Sequence, residues 1–207
     1  MDARVAMVRR QIEARGVSDP AVLDAMRKVP RHEFVPREFL VDAYDDSPLP
    51  VGNGQTISQP YIVALMTEML QLESSDKILE IGTGSGYQAA VLAEIVSKVY
   101  TVEIIESLHV QAEQRLKDAG YKNVFCKCGD GSEGWLEHAP YDGIIVTAAA
   151  PGIPPGLITQ LKDGAKMVIP VGAVNAVQTL YTLTRNGDDV SVEPGIAVRF
   201  VPLTGCL

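Results

Sequence analysis

The chain has no apolar run approaching the roughly 18 residues of a membrane-spanning helix, and its start, "MDARVAMVRRQIEARG", is charged throughout. That start lacks the apolar core of a secretory leader, so a cytoplasmic location without membrane contact is expected. Cysteine is scarce: Cys126 and Cys128 lie two apart in "VFCKCGDG", and Cys206 stands next to the last residue. No second ligand pair stands nearby, so the pattern gives neither a disulfide framework nor the spacing of a zinc site, and no metal is expected. Cations are outnumbered: 18 Lys and Arg against 26 Asp and Glu give a formal net charge of −8. This argues against a nucleic-acid partner, whose backbone must be met with positive charge. It also requires that any acidic substrate be met by a local positive potential. His32, His109 and His138 form no Ser/His/Asp or Cys/His set along the sequence, although folding can assemble one. Repeats, low-complexity tracts and long charge runs are missing as well.

What remains is an ordinary globular composition, 46% hydrophobic and 21% charged over 207 residues, enough for one domain with a real core. Residues 1–58 read as a helical, substrate-side extension. Val5, Val8 and Ile12 recur at helical spacing, and Val22, Met26 and Val29 repeat the pattern after Ser18-Asp19-Pro20, a cap followed by a first-turn proline. The proline-rich stretch that follows predicts one short helix at most, near residues 37–43. "GNGQTIS" reads as a flexible turn. From Pro60 onward Ile62, Leu65, Met66, Met69 and Leu70 form a helical stripe.

Residues 59–207 read as an α/β core. "KILEIG", "KVYTVEI", "NVFCKCGD", "YDGIIVTAA" and "AKMVIPVG" are strands, with helices over Tyr87–Val96, Ser107–Ala119 and Leu157–Leu161. Strands alternating with helical crossovers predict a Rossmann-like, doubly wound, mostly parallel sheet covered on both faces. At the end, "VQTLYTLTR" and "VSVEPGIAVRFVPL" flank the turn signal "NGDD", which predicts an antiparallel hairpin.

The strongest local signal is "ILEIGTGSGYQAAVLAEI": a strand bearing Glu80 runs into Gly82, Gly84 and Gly86, then a helix of small residues. Three readings are open. A dinucleotide site wants G-x-G-x-x-G/A, and Tyr87 stands where its third small residue belongs. A carboxylate just before the first glycine suits a ligand with a positive centre and no phosphate, such as S-adenosylmethionine. The third reading is a plain strand–helix turn. Two later acids favour an adenosyl ligand. Glu103 ends the second strand 21 residues after Gly82, the offset of a ribose-binding carboxylate. Asp130 follows the third strand, placed to accept from an adenine amine. Asp142 begins its strand, at the opposite edge, and reads as structural.

"LEIGTGSG" followed by Glu103 resembles the class I S-adenosylmethionine-dependent methyltransferases. With "GNGQTISQPYIVALM", "GDGSEGW", "APYDGIIVTAAAP", "LKDGAKMVIPVG" and "FVPLTG" the chain resembles, over nearly its whole length, the protein-L-isoaspartate (D-aspartate) O-methyltransferases. The resemblance implies a repair activity on damaged proteins and peptides. A methyl passes from S-adenosylmethionine to the α-carboxylate of an isoaspartyl, and by extension a D-aspartyl, residue. The ester then collapses to a succinimide that water opens partly to normal aspartate. It also implies an unusual order for the final strands. Ser58 is implied as the active residue. Thr56, Ile57, Ser58, Gly82, Gly84, Glu103, Asp130, Gly131 and Thr204 are implied at the cofactor, and Glu80 and Gly86 join them through the loop reading. Thr56, Ser58, Val201 and Pro202 are implied at the substrate. Where the family often carries histidine after the proline of its first motif, this chain has Tyr61. Two other classes share the glycine loop: a small-molecule methyltransferase with a closed pocket, and a non-catalytic S-adenosylmethionine-binding module. No long apolar helix demands a partner, so a monomer is expected. Ser58 itself has two compatible readings, N-cap of the helix that follows and positioner of a substrate carboxylate.

Overall fold

The computed structural model describes residues 2–205; Cys206 lies outside them. In chain order the strands are β1 Leu49–Gly52, β2 Gln55–Ile57, β3 Lys77–Ile81, β4 Lys98–Glu103, β5 Val124–Cys128, β6 Tyr141–Val146, β7 Leu161–Val171, β8 Gln178–Asn186 and β9 Asp189–Val198. The last seven build one sheet in the order β5-β4-β3-β6-β7-β8-β9. Strands β3 to β7 are mutually parallel, whereas β8 and β9 return antiparallel, each beside its predecessor. β3 and β6 are buried along nearly their whole length, which explains their continuous apolar runs. β3 sits between β4 and β6, so the chain reverses its direction of winding at β3. In such sheets the crevice at the carboxyl ends of the strands on either side of that point is where ligands bind.

Helices cover the two faces: α1 Ala3–Met7, α2 Pro20–Lys28, α3 Pro60–Met69, α4 Tyr87–Ala93, α5 Glu106–Asp118 and α6 Pro155–Ile158. The Asp19 carboxylate accepts the N–H groups of Ala21 and Val22 and caps α2 ahead of Pro20. The first predicted helix is less regular than its spacing implies. α1 widens into a π-turn over Val8–Ile12 and tightens to a 3-10 turn before Gly16. This sends Met7, Val8 and Ile12 into the core while Val5 stays 41% exposed. The side chains of α1 to α3 share one apolar cluster with Ile78, Val99 and Ile145 of the sheet, so the N-terminal segment roofs one face.

Two local expectations are corrected. The segment read as a flexible turn is a hairpin, β1 paired with β2. Asn53 (φ 52°) and Gly54 (φ 71°) make its two-residue loop, the left-handed pair that Asn-Gly adopts at low cost. And the N-cap position of α3 is held by Gln59, not Ser58, with no side-chain bond to the first-turn amides. The extended backbone of β2 carries Ser58 one position short of the helix, where its hydroxyl cannot reach the first-turn amides. Near residues 37–43 only a 3-10 turn, Arg37–Phe39, forms.

Candidate active site

At the carboxyl end of β3 the chain enters the glycine loop, and neighbours on both sides clamp it. From β4, the Val102 carbonyl accepts the N–H groups of Gly82 and Thr83. From the end of β6, the Thr147 hydroxyl donates to the carbonyls of Gly82 (2.7 Å) and Ile81 (3.0 Å). Gly82 has φ 96°, and a Cβ there would stand 2.5 Å from Thr147 Oγ1. Both its conformation and its crowding therefore demand glycine. Gly131 is crowded from the other side, where a Cβ would meet Ile81 Cγ2 at 2.4 Å.

Glu103, at the end of β4, is only 5% exposed, yet it stands on the wall of the cleft this loop opens. One carboxylate oxygen accepts the Gly84 N–H at 2.8 Å and the other the Ile105 N–H at 3.0 Å. Each oxygen keeps a second lone pair, so the group can accept two more hydrogen bonds, as a ribose diol offers. The cleft encloses about 750 Å³ with its mouth included. Thr56, Ile57, Ser58, Gly82, Gly84, Glu103, Gly131, Val201, Pro202 and Thr204, all singled out in the sequence, lie on its wall.

Three singled-out residues do not. Gly86 ends the loop in the left-handed region (φ 88°) and packs on Leu116 and Ala112 of α5. Asp130 turns its carboxylate onto the N–H and hydroxyl of Ser132, capping a 3-10 turn, with Gly205 pressed against it. Glu80 is fully buried behind the loop. Thr101 Oγ1 donates to its carboxyl at 2.5 Å and stands 2.6 Å from Thr83 Oγ1. Burial, with the nearby Glu103 charge adding to it, pushes the Glu80 pKa up to about 8 against the Thr101 hydrogen bond. Glu80 thus keeps its proton at neutral pH. Its hydrogen bond with Thr101 braces the threonines under the loop. Asp142 is structural, as read: it accepts from the Lys77 N–H and from Lys162 Nζ.

Ser58 stands where this cleft meets a second, open groove. Thr56, Ser58, Thr147 and Val201 belong to both walls, and the groove continues past Pro48, Ile62 and the end of β9 to Phe200. Ser58 precedes the N-cap position of α3, and its hydroxyl has no hydrogen-bond partner among the described residues. Its backbone is held from behind by Arg31, which is fully buried and donates to the carbonyls of Ala43 (2.6 Å), Ser47 (3.2 Å) and Ser58 (3.0 Å). Burial lowers the Arg31 pKa, and a guanidinium that gives three of its five N–H groups to carbonyls stays charged. Sequence reading missed both Arg31 and Thr147. Thr147 had a usable signal, a hydroxyl at the carboxyl end of a strand. Arg31, in "VPRHEF", lies in a proline-rich connection that gives no such signal.

A glycine loop at the end of β3, an acid at the end of β4 and an open groove meeting the cleft at Ser58 define a Rossmann-like methyltransferase. The family model described as protein-L-isoaspartate(D-aspartate) O-methyltransferase matches residues 2–207, and the chain belongs to that family. A protein-L-isoaspartate O-methyltransferase 2 of a Polaromonas species is 56% identical over 99% of both chains. That of Shewanella sediminis is 53% identical over 98% of this chain and 83% of its own. A solved structure of a protein-L-isoaspartate O-methyltransferase superposes with a TM-score of 0.89 at 29% identity, over 98% of this chain and 66% of that one. One from Plasmodium falciparum, in complex with S-adenosyl-L-homocysteine, shares the fold (TM-score 0.83, 22% identity, 97% and 98% covered).

Proposed function

We propose that the chain methylates the α-carboxylate of L-isoaspartyl residues, and of D-aspartyl residues, in damaged polypeptides, using S-adenosylmethionine. The observation that carries this reading is the unpartnered Ser58 hydroxyl at the junction of the two cavities. S-adenosylmethionine supplies an electrophilic methyl group on a sulfonium and leaves as S-adenosylhomocysteine. Glu103 accepts from its ribose, and the close-packed backbone of Gly82, Gly84 and Gly131 lets it approach the loop. Thr56, Ile57 and Thr204 close the cleft around it. Glu80 and Gly86 act from behind by holding the loop, and Asp130 by holding the Gly131 turn.

The acceptor needs no general base, because a carboxylate of ordinary pKa near 4 is already ionised at neutral pH. The protein's task is to bring it into line with the methyl and hold it there. Ser58 donates to that carboxylate, and Thr56, Val201 and Pro202 border it. A neutral donor suits the role, since a full positive charge would damp the oxygen's nucleophilicity. The groove encloses about 1070 Å³ with its open side included. That accommodates a length of extended chain and favours a polypeptide over a small acid. The reading extends to a monomer acting in the cytoplasm without nucleic acid, in keeping with the net charge of −8. The test is transfer of labelled methyl to matched isoaspartyl, D-aspartyl and aspartyl peptides and to small carboxylic acids. Label on the small acids alone overturns the reading.

A further inference from the structure

The protein carries eight more acidic than basic side chains, yet the wall of the acceptor groove holds two arginines, Arg15 and Arg199, and no carboxylate. Arg15 is pinned in place: its guanidinium lies over the Tyr61 ring, 3.4 Å from the centroid, and 2.7 Å from Asp46. Tyr61, the residue that departs from the family pattern, thus serves as the platform that holds a cation at the groove. Asp46 cancels part of Arg15's field. Arg199 is exposed and has no ion pair among the described residues, so the larger share of uncompensated positive charge is its own.

We infer that the groove selects acceptor polypeptides carrying an acidic side chain beside the isoaspartyl residue, with Arg199 and Arg15 as the specificity-determining residues. This rests on the methyltransferase reading above and narrows its substrate class. The physical reason is local. An acidic protein repels acidic segments at long range, and two cations at the mouth of a cleft, one of them pinned, reverse the sign where the acceptor docks. Damaged sites flanked by Asp or Glu, otherwise the poorest partners for this chain, are brought within reach.

The experiment uses the full chain and a set of isoaspartyl hexapeptides identical except for Glu, Gln or Lys on either side of the isoaspartyl residue. At low salt, kcat/KM for the better Glu peptide should exceed that of its Gln counterpart by about two- to five-fold, the range of an exposed ion pair, with Lys lowest. The ranking should compress as salt rises. Arg199→Gln should pull the Glu-to-Gln ratio toward one, and Arg15→Gln should do so in part. Arg199 is exposed, so its variant folds even if loss of the Arg15 contacts disturbs Tyr61. Methylation of all peptides without a Glu > Gln > Lys order, or an order that survives Arg199→Gln, overturns the preference and leaves the activity standing. Methylation of none of them overturns the activity and the preference with it.

Discussion

Arg31 Nη2 lies 3.0 Å from the carbonyl oxygen of Ser58, and the same guanidinium ties down Ala43 and Ser47. A fully buried cation whose hydrogen bonds all go to carbonyls is an expensive way to add stability, because its desolvation offsets most of what those bonds contribute. What it does provide is geometry. Two separate segments, Ala43–Ser47 and Ser58, converge on one planar fork, and the second is the serine at the junction of the two cavities. Arg31→Lys keeps the charge but loses the fork. It should fold, bind S-adenosylmethionine within two-fold of the parent and lose roughly ten-fold in kcat through a misplaced Ser58. Titration calorimetry and initial rates check it; unchanged kcat in a folded variant removes Arg31 from the positioning role.

Ser58→Ala now has a single expected outcome. With Gln59 at the N-cap position and no bond from the Ser58 hydroxyl to the first turn of α3, stability should change by no more than about 0.5 kcal/mol. Methyl transfer should fall roughly ten- to hundred-fold, the worth of one hydrogen bond to a charged group, with cofactor affinity little altered. A drop in melting temperature with normal turnover would instead make Ser58 structural.

Glu103→Ala should weaken S-adenosylmethionine binding by about 1.5–3 kcal/mol. Its carboxylate also holds the Gly84 and Ile105 amides, so Glu103→Gln, which can still accept from one of them, should lose less. Calorimetry showing equal affinity for parent and Glu103→Ala would take the ribose contact away.

Glu80 sets a pH dependence whose sign follows from its raised pKa. Between its ordinary value of 4.5 and about 8, the unfolded chain has released this proton while the folded chain retains it. Stability from this group is therefore full at acid pH and declines as pH rises through that window, by about 1.4 kcal/mol per unit at most. Glu80→Gln cannot titrate. Its stability should fall less than the parent's between pH 5 and pH 8, to be read from denaturant unfolding at each of about four pH values. Parallel curves for the two proteins would place the Glu80 pKa back in the ordinary range.

How far the sequence foretold all this depended on the range of the forces involved. The parallel sheet, the glycine loop and Glu103 were legible because each is written in contiguous residues: apolar runs such as "ILEI", glycines two apart, an acid at a strand end. The terminal hairpin was legible through its turn, while its place in the sheet was not, since strand order is set by packing across the whole fold. The raised pKa of Glu80 was not legible because it depends on burial, which one carboxylate in a string does not display. Arg31 was invisible for the same reason: its three carbonyl partners lie 12 to 27 residues away. The Ser58 cap failed over a single position, settled by the β1–β2 hairpin that precedes it.

The last prediction turns the activity on the chain itself. Two Asn-Gly pairs, Asn53-Gly54 and Asn186-Gly187, are the sites most prone to form isoaspartate, since glycine leaves its backbone nitrogen open to attack the asparagine side chain. Both asparagines are exposed, but the Asn53 amide donates to Ser107 Oγ at 3.1 Å, so Asn186, in the β8–β9 turn, should react first. The structure adds a brake at that site. The Gly187 N–H, the group that must lose its proton to attack, donates to Asp163 Oδ1 at 2.6 Å. A carboxylate accepting that proton's hydrogen bond opposes its removal, and the Asn186 side chain itself donates weakly to Thr184 and Ser191. Asp163→Ala should therefore accumulate isoaspartate at Asn186 several-fold faster than the parent, and the aged variant should become an acceptor for fresh enzyme. Both proteins are aged side by side, incubated with fresh enzyme and labelled S-adenosylmethionine, and mapped by peptide. Equal label in the two Asn186 peptides would show that Asp163 is no brake, and label confined to the Asn53 peptide would show that the β1–β2 hairpin, not the β8–β9 turn, is the weak point of the chain.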